Sequence, residues 1–319
     1  MTALLDIGHL SLSIGGRAIL RDVSLSVNAG EAVGLVGESG SGKSMTVRSV
    51  LRLLPRGART AGTIQLRGAD IGTMDAGALR RMRSHDVAMV FQDPRATVNP
   101  VRTVGDFLGE VLREQGYDRR AALGKVSGIL EEIGVDHVER RLRQRPYELS
   151  GGLLQRVVIA AALATSPALI LADEPTTALD VTTQEEVAAI LTEQRRRRGA
   201  ALLFISHDLE LAAAVCDRIA VMYAGRIVEI LPASGLHSGA RHPYTQALLK
   251  SRPGAVEPGA RLETVPGAPQ SAHDAPPGCV FADRCLRAEA RCRDTVPRLV
   301  PLGSGAAACH LLAGAEAHR

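Results

Sequence analysis

The eight residues Gly37–Ser44 read GESGSGKS and fit the pattern G-x-x-x-x-G-K-S. An apolar run, Ala32–Val36, comes directly before them, and a segment typical of a helix, Met45–Leu51, follows. A buried strand, a glycine-rich turn and a helix start are the context in which this pattern wraps backbone N–H groups around a polyphosphate. The sequence therefore predicts a phosphate-binding loop rather than a glycine-rich turn without that function.

Two side chains at the end of this loop have separate predicted roles. Lys43 would reach the β- and γ-phosphates of a nucleotide, and the Ser44 hydroxyl would ligate Mg²⁺. The nucleotide-binding residues predicted from the loop are Gly37, Glu38, Ser39, Gly40, Ser41, Gly42, Lys43 and Ser44.

Length and composition limit the class of protein. The chain has 319 residues, enough for one large domain and an appendage, and its net charge is a mild +4. Aromatic residues make up 3% and tryptophan is absent, which disfavours stacking on nucleic-acid bases. No apolar stretch approaches the roughly 20 residues that span a bilayer, and the N-terminus does not read as a signal peptide. We therefore expect a cytoplasmic protein that reaches a membrane only through a partner.

A second apolar run, Ala168–Ala172, ends in Asp173 and Glu174. The run predicts a buried parallel strand, and a carboxylate at the C-terminal end of such a strand faces the ligand crevice of an α/β sheet. Asp173 suits Mg²⁺, and Glu174 suits orienting or deprotonating an attacking water. A solvated acidic turn is the alternative. The functional interpretation is favoured because the phosphate loop and this turn lie on successive strands of one plausible sheet.

A serine followed by two glycines, Ser150, Gly151 and Gly152, stands just before an apolar helical segment. Such residues at a helix start predict a second anion-binding turn, although they are equally typical of a plain N-cap. Their position shortly before the strand that ends in Asp173 favours the anion-binding interpretation.

In this order the motifs resemble those of the ATP-binding subunits of ABC transporters, over about residues 4–235. Leu149–Gly152 resembles the signature motif, and residues 178–180 (Ala-Leu-Asp) resemble the D-loop. The resemblance implies an α/β P-loop NTPase cassette over residues 1–235. Its core would be RecA-like, with a helical subdomain inserted at about 93–152.

The resemblance also implies roles for two polar residues that follow apolar strands. Gln92, after Val87–Phe91, resembles the Q-loop glutamine, which can touch Mg²⁺ and the attacking water. His207, after Ala201–Ser206, resembles the switch histidine, which can bond the γ-phosphate and sense its loss. The implied catalytic residues are Glu174, His207 and Gln92. The implied Mg²⁺ ligands are Ser44, Gln92 and Asp173, and further nucleotide contacts are Ser150, Gly151, Gly152 and Asp180.

The chain departs from the family pattern at two positions. Leu153 stands where the signature usually has glutamine, and peptide importers often carry an apolar residue there. The aromatic residue that stacks on adenine should fall near Ile14, which can pack against the base without π-stacking. Weaker or less base-selective nucleotide binding would follow.

The resemblance further implies a set of partners. In this family the phosphate loop of one chain faces the signature of a second cassette, and ATP is held between them. We expect a related second ATPase subunit, hence a heterodimer, and two transmembrane permease subunits. An extracytoplasmic substrate-binding protein would act indirectly, and no nucleic acid is expected. The protein would then be peripheral on the cytoplasmic face of the cell membrane.

The composition changes after about residue 235, and residues 236–319 form a predicted C-terminal extension. A segment that begins His242-Pro243-Tyr244-Thr245 predicts a short helix and resembles an element of oligopeptide and dipeptide importers. Residues 252–277 are rich in proline and glycine and predict a linker. Four of the five cysteines lie in this extension: Cys279, Cys285, Cys292 and Cys309.

Clustered thiols in a cytoplasmic protein favour a metal centre over disulfides. The spacing lacks the paired C-x-x-C of zinc ribbons, and it resembles the tail of dipeptide and oligopeptide importer ATPases, some of which hold a [4Fe–4S] cluster. An iron–sulfur cluster is therefore the favoured expectation. Zn²⁺ and reduced thiols without metal are the alternatives.

The predicted function is ATP hydrolysis that drives import of di- or oligopeptides. A nickel or metallophore importer ATPase is the alternative within transport, and a soluble ABC ATPase acting on nucleic acid or ribosomes is the alternative from another class. The second alternative predicts tandem cassettes or a long coiled coil, and the sequence has one cassette and no long heptad region. The basic run Arg195–Arg198 is interpreted as a helix C-terminus capped by Gly199, in preference to a lipid or nucleic-acid patch.

Overall fold

The computed structural model describes residues 3–177, 179–251 and 264–312. Contacts divide the chain into two compact units, and neither is continuous in sequence. The carboxylate unit, named here for Asp173 and Glu174, comprises Met1–Leu4, Val27–Ala32 and Thr73–Ile205. The phosphate-loop unit, named for residues 37–44, comprises Leu5–Ser26, Val33–Gly72 and Ser206–Arg319. The C-terminal extension therefore belongs to the same unit as the phosphate loop.

The strands in chain order are β1 (Leu5–Ile14), β2 (Arg17–Val27), β3 (Ala32–Val36), β4 (Ala58–Leu66), β5 (Ala69–Asp70), β6 (Val87–Val90), β7 (Leu169–Asp173), β8 (Ala201–Ser206), β9 (Arg218–Tyr223), β10 (Arg226–Pro232), β11 (Val300–Leu302) and β12 (Gly305–Ala307).

The α-helices in chain order are α1 (Lys43–Val50), α2 (Ala76–Arg81), α3 (Pro94–Thr97), α4 (Val104–Glu114), α5 (Arg119–Glu132), α6 (Val138–Arg143), α7 (Gly151–Ala164), α8 (Val181–Arg198), α9 (Leu209–Val215), α10 (Leu236–Gly239), α11 (Pro243–Lys250) and α12 (Ala290–Asp294). Helix α2 continues into a π-helical turn, Met82–Asp86, and short 3-10 turns lie at Ile71–Thr73, Pro146–Glu148, Ala233–Gly235 and Ala282–Arg284. No helix within the described ranges is long and apolar enough to cross a membrane.

Parallel strands form the centre of the carboxylate unit. Strand β7 lies between β6 and β8, with Val90 opposite Ala172 and Ala172 opposite Phe204. Every residue of β7 and β8 is buried, as expected for continuous apolar runs that are covered on both faces. The strand predicted at 168–172 is confirmed as β7, which begins and ends one residue later than predicted.

The segment between Gln92 and Ser150 is mostly helical. Helices α4 and α5 are capped by Thr103 and Asp118, whose side chains accept from backbone N–H groups at the third helical residue. Their apolar faces are buried, with Leu108 and Val126 fully enclosed. Capping side chains satisfy N–H groups of the first turn that lack a partner, and Thr103 and Asp118 therefore set the starts of α4 and α5.

The basic run at the end of α8 is part of the helix. Gly199 ends the helix in the left-handed conformation, with φ of 65°. Arg197 pairs with Glu193 at 2.6 Å, Arg198 pairs with Glu132 at 2.7 Å, and Arg195 donates to the Gly30 carbonyl at 2.6 Å. These contacts confirm the interpretation as a capped helix terminus.

The phosphate-loop unit contains a parallel strand pair and two antiparallel extensions. Strand β3 is fully buried and runs parallel to β9, which pairs antiparallel with β10. Strand β10 continues through β12 to β11, so the extension adds two short strands to this sheet. A separate antiparallel sheet has the order β2-β1-β4-β5.

The predicted helix after the H-P-Y-T motif is α11. His242 caps it through Nδ1, which accepts from the Tyr244 N–H at 3.1 Å, and proline occupies the first turn. The imidazole is 1% exposed and also bonds the backbone of Ala308. Burial lowers the pKa of His242 to about 4, so the ring is neutral at neutral pH. Of the predicted linker, residues 252–263 lie outside the described ranges, and residues 264–277 contain turns without helix or strand.

Burial of neutral His242 predicts a pH dependence of stability. Its pKa is about 4 in the folded chain, against an ordinary value of 6.5 for an exposed imidazole, so between these values the unfolded chain binds the extra proton. As the pH drops from roughly 7 to 5, proton binding by His242 in the unfolded chain should lower the free energy of unfolding by about 2 kcal/mol. We expect urea unfolding of His242→Gln to lack this contribution.

The matched control is His273→Gln, because His273 is exposed in the same extension. The buried carboxyl of Glu229 accepts from the Arg241 and His242 N–H groups. Burial raises the pKa of Glu229, so its effect on the pH dependence of the free energy of unfolding has the opposite sign. Glu229 is present in both wild type and His242→Gln, so its contribution cancels when their free energies of unfolding are subtracted. An unchanged pH slope in His242→Gln would contradict the prediction.

Candidate functional site

The loop after β3 is packed too tightly for side chains at two of its glycines. A Cβ on Gly37 would lie 2.1 Å from the Met222 carbonyl oxygen, and one on Gly42 would lie 2.6 Å from Leu20 Cδ2. Both residues, with φ of 154° and 106°, have positive φ values, which glycine adopts readily. The glycines of the sequence pattern are thus required by the close approach of β9 and β2.

The ammonium group of Lys43 lies inside this loop. Lys43 is 4% exposed, and its Nζ donates to the carbonyls of Gly37 at 2.8 Å and Glu38 at 3.0 Å. Nearby, the Ser41 hydroxyl is buried and has no hydrogen-bond partner among the described residues. A buried cation, an unsatisfied hydroxyl and the start of α1 together form a site that suits phosphate oxygens.

A carboxylate centre lies at the end of β7. Asp173 is 1% exposed, and Glu174 follows it with φ of 47°, a left-handed turn out of the strand. The Glu174 carboxylate accepts from Gln92 Nε2 at 3.2 Å and from Thr177 Oγ1 at 2.9 Å, both at Oε2. These two donors fix the orientation of the predicted general base.

The structure therefore brings together Gln92 and Glu174, which are 82 positions apart. Thr177 was not among the residues predicted from sequence. A hydroxyl three residues after a strand-end carboxylate is the signal that could have identified it, because the turn returns the chain to the carboxylate.

The serine–glycine turn and the D-loop aspartate lie close together in the carboxylate unit. Ser150 is exposed and caps α7 by accepting from the Leu153 N–H at 3.4 Å. Asp180 caps α8 by accepting from the N–H and hydroxyl of Thr183, bonds that lower the pKa of Asp180. A Cβ on Gly152 would lie 2.9 Å from Thr183 Cγ2, so this glycine packs against the first turn of α8. Ala178, also part of the predicted D-loop, lies outside the described residues.

His207 and Ile14 lie in the phosphate-loop unit. His207 is exposed at the end of β8, directly before Asp208, which caps α9. Ile14 is the last residue of β1 and is half-buried opposite Ala58. The γ-phosphate and adenine contacts of these residues stay predictions.

The residues predicted to hold Mg²⁺ have suitable oxygen chemistry. Ser44 lies in the first turn of α1 in the phosphate-loop unit, and Asp173 and Gln92 lie in the carboxylate unit. Hydroxyl, carboxylate and amide oxygens are the donors that Mg²⁺ prefers. The assignment of these three ligands stays a prediction.

Within the described residues, the four cysteines of the C-terminal extension are not arranged as a metal site. Cys279, Cys285, Cys292 and Cys309 are all free thiols, and Cys279 and Cys292 are buried. Burial raises the pKa of Cys279 to about 11, with smaller contributions from the other three thiols. In the described parts of the chain, however, no group of three or more His, Cys, Asp or Glu residues is arranged to hold a metal ion. The geometry therefore does not support the predicted iron–sulfur cluster or its zinc alternative.

Comparison with known proteins gives the family. A Brucella ovis protein named for peptide import and ATP binding is 45% identical over an alignment 314 residues long, and the match covers 93% of each chain. The dipeptide transport ATP-binding protein DppD of Haemophilus influenzae is 41% identical over an alignment 315 residues long, and the match covers 97% of this chain and 95% of that one. The chain belongs to the ABC transporter ATPases.

Two family models match this ATPase in sequence order. The ABC transporter family matches residues 20–177, and the oligopeptide/dipeptide transporter C-terminal region matches 228–292. A dimeric post-hydrolysis structure of the ATP-binding cassette MJ0796 with ADP and Pi superposes with a TM-score of 0.65 at 25% identity, covering 72% of this chain and 98% of that one. The predicted α/β cassette fold is confirmed.

Replacing the general base should separate turnover from binding. In Glu174→Gln the amide cannot accept a proton from water, so we expect ATP turnover to fall by about 10²- to 10⁴-fold. ATP affinity should remain near wild type. Steady-state phosphate release and equilibrium binding of a fluorescent ATP analogue measure the two effects.

Glu185→Gln is the matched control, since Glu185 lies on α8 away from the carboxylate centre's hydrogen bonds. It should change neither quantity. Near-wild-type turnover in Glu174→Gln would show that Glu174 is not the base.

Proposed function

We propose that this ATPase energises import of di- or oligopeptides through two transmembrane permease subunits at the cytoplasmic face of the membrane. The observation that carries the proposal is similarity over 93 to 97% of the chain to proteins named for peptide or dipeptide transport. The extension contributes to that similarity, because residues 228–292 match the oligopeptide/dipeptide transporter C-terminal region. A substrate-binding protein outside the membrane would deliver the peptide.

The chemistry assigned to the site is hydrolysis of the bond between the β- and γ-phosphates of ATP. Water attacks the γ-phosphorus, the bond to the bridging oxygen breaks, and Glu174 accepts the proton of the water. Lys43 and the loop N–H groups bind the phosphates. Ser44, Asp173 and Gln92 would hold Mg²⁺, whose positive charge would offset that of the phosphates. The bonds from Gln92 and Thr177 support this assignment because they hold the base in one orientation.

A second cassette is part of the proposal. The exposed hydroxyl of Ser150 stands at the N-terminus of α7, a helix of 14 residues, where the macrodipole attracts an anion. Ser150, Gly151, Gly152 and Asp180 would meet the nucleotide bound by the partner ATPase. His207 would bond the γ-phosphate, and loss of this bond on hydrolysis would let the two cassettes separate.

Uptake measurements in the native cell test the import proposal. A strain without this gene should lose uptake of labelled di- and tripeptides, and the wild-type gene should restore it. A gene carrying Glu174→Gln should not restore uptake, because the ATPase would bind but not turn over. Uptake of labelled nickel should stay unchanged throughout.

Two outcomes would overturn the peptide assignment. Loss of nickel uptake with intact peptide uptake would favour the nickel or metallophore importer. Co-purification of the tagged chain with nucleic acid or ribosomes, instead of with hydrophobic permease subunits, would favour the soluble ABC ATPase.

A metal centre in the extension is a separate proposal. It is supported by donor chemistry, since the four free thiols lie in one unit. Burial is the main cause that raises the pKa values of Cys279 and Cys309, and the neighbouring thiols raise them further. Anaerobic purification followed by metal analysis and an absorption spectrum decides it. Iron with acid-labile sulfide and a broad band in the blue indicates the cluster, zinc indicates the alternative ion, and neither indicates thiols without metal. Cys216→Ser in the cassette is the control and should leave the metal content unchanged.

A further inference from the structure

The phosphate loop is bound by an arginine from the C-terminal extension. Arg284 donates from Nη1 to Glu38 Oε2 at 2.6 Å and from Nη2 to Glu38 Oε1 at 3.1 Å. The two residues are 246 positions apart, and both belong to the phosphate-loop unit. Such a two-bond pair fixes the direction of the carboxylate as well as its charge.

Arg284 is itself held in place by several groups. Its Nε donates to the Pro266 carbonyl at 2.6 Å, and its Nη1 also donates to the Tyr223 hydroxyl at 3.2 Å. The guanidinium carbon lies 5.5 Å from the ring centroid of Tyr223 and 6.0 Å from that of Phe281. The side chain is 4% exposed, so water screens the ion pair little.

A second residue of the extension holds the backbone of Glu38. The Tyr244 hydroxyl accepts from the Glu38 N–H at 3.0 Å. Tyr244 is fully buried in the helix α11 that His242 caps, and its ring centroid lies 4.7 Å from Tyr223 and 5.2 Å from Phe281. The Glu38 carbonyl, in turn, accepts from Lys43 Nζ. Three polar groups of Glu38 are thus engaged, two of them by the extension.

The charge of Glu38 explains why this contact matters for nucleotide binding. A carboxylate in a loop that binds a polyphosphate repels its ligand, and at an effective dielectric of about 20 the energy across several ångströms is large enough to change affinity by an order of magnitude. Arg284 offsets that charge and holds the carboxylate along a fixed direction. The extension therefore does more than add two strands to the sheet.

We propose that Arg284 and Tyr244 are positioning residues for ATP, through which the C-terminal extension neutralises Glu38 and holds the phosphate loop in its nucleotide-binding shape. The inference rests on ATP as the ligand of this loop. It is independent of the transported cargo.

Charge rescue tests the role of Arg284. In the full-length chain, Arg284→Gln should weaken ATP affinity by about tenfold or more, because Glu38 is left uncompensated. In the assembled transporter the same variant should raise KM for ATP with a much smaller change in kcat. Adding Glu38→Gln to Arg284→Gln should restore most of the affinity, since the unpaired charge is then gone. Equilibrium binding of a fluorescent ATP analogue and steady-state hydrolysis provide the readouts.

Arg293→Gln is the matched control. Arg293 lies in the same extension and pairs with Asp283 at 2.8 Å, but 61% of its side chain is exposed and its ion pair is made outside the phosphate loop. This variant should bind ATP as wild type does. Wild-type affinity in Arg284→Gln, or no recovery in the double variant, would overturn the proposal and indicate a purely structural contact.

Tyr244→Phe keeps the test decisive if Arg284→Gln does not fold. Phenylalanine preserves the ring packing with Tyr223 and Phe281 and removes the acceptor of the Glu38 N–H. ATP affinity should fall severalfold while the circular dichroism spectrum stays unchanged, and unchanged affinity would overturn the role of Tyr244. Failure of the wild-type chain itself to bind ATP would instead refute the ATPase function.

Discussion

Close packing around the phosphate loop is the constraint on which the site depends. Gly37 and Gly42 lie so near β9 and β2 that no Cβ fits, and the loop can therefore curve around the Lys43 ammonium. A buried ammonium needs hydrogen-bond partners, and the loop supplies them through the carbonyls of Gly37 and Glu38. The same geometry thus satisfies the lysine and presents it to a phosphate.

The extension reinforces that loop through a buried polar cluster instead of through apolar area alone. His242, neutral because it is buried, orders α11, and α11 places the Tyr244 hydroxyl at the Glu38 N–H. Phe281 and Tyr223 flank the Arg284 guanidinium. In such a setting each polar group has a specific partner, which is why buried networks specify one arrangement of the chain.

Features encoded by local pattern could be predicted from the sequence. The apolar runs at Ala32–Val36 and Ala201–Ser206 are strands β3 and β8 with the expected bounds, and Ser150 caps α7 at the expected position. Contacts between distant segments could not be predicted. Nothing in local sequence pairs Glu38 with Arg284 or Gln92 with Glu174, because such pairs are set by how the elements pack. The spacing of four cysteines likewise did not determine the placement of their thiols.

The pairing of Glu38 with Arg284 also limits how such a chain can change over generations. A mutation that removes the arginine leaves an acid beside the triphosphate, whereas a neutral residue at position 38 removes the need for the arginine. The effect of changing either residue therefore depends on the other, although 246 positions separate them in the sequence. A cassette with an acid at position 38 that lost its C-terminal tail would, on this proposal, be left with an unpaired charge in its phosphate loop.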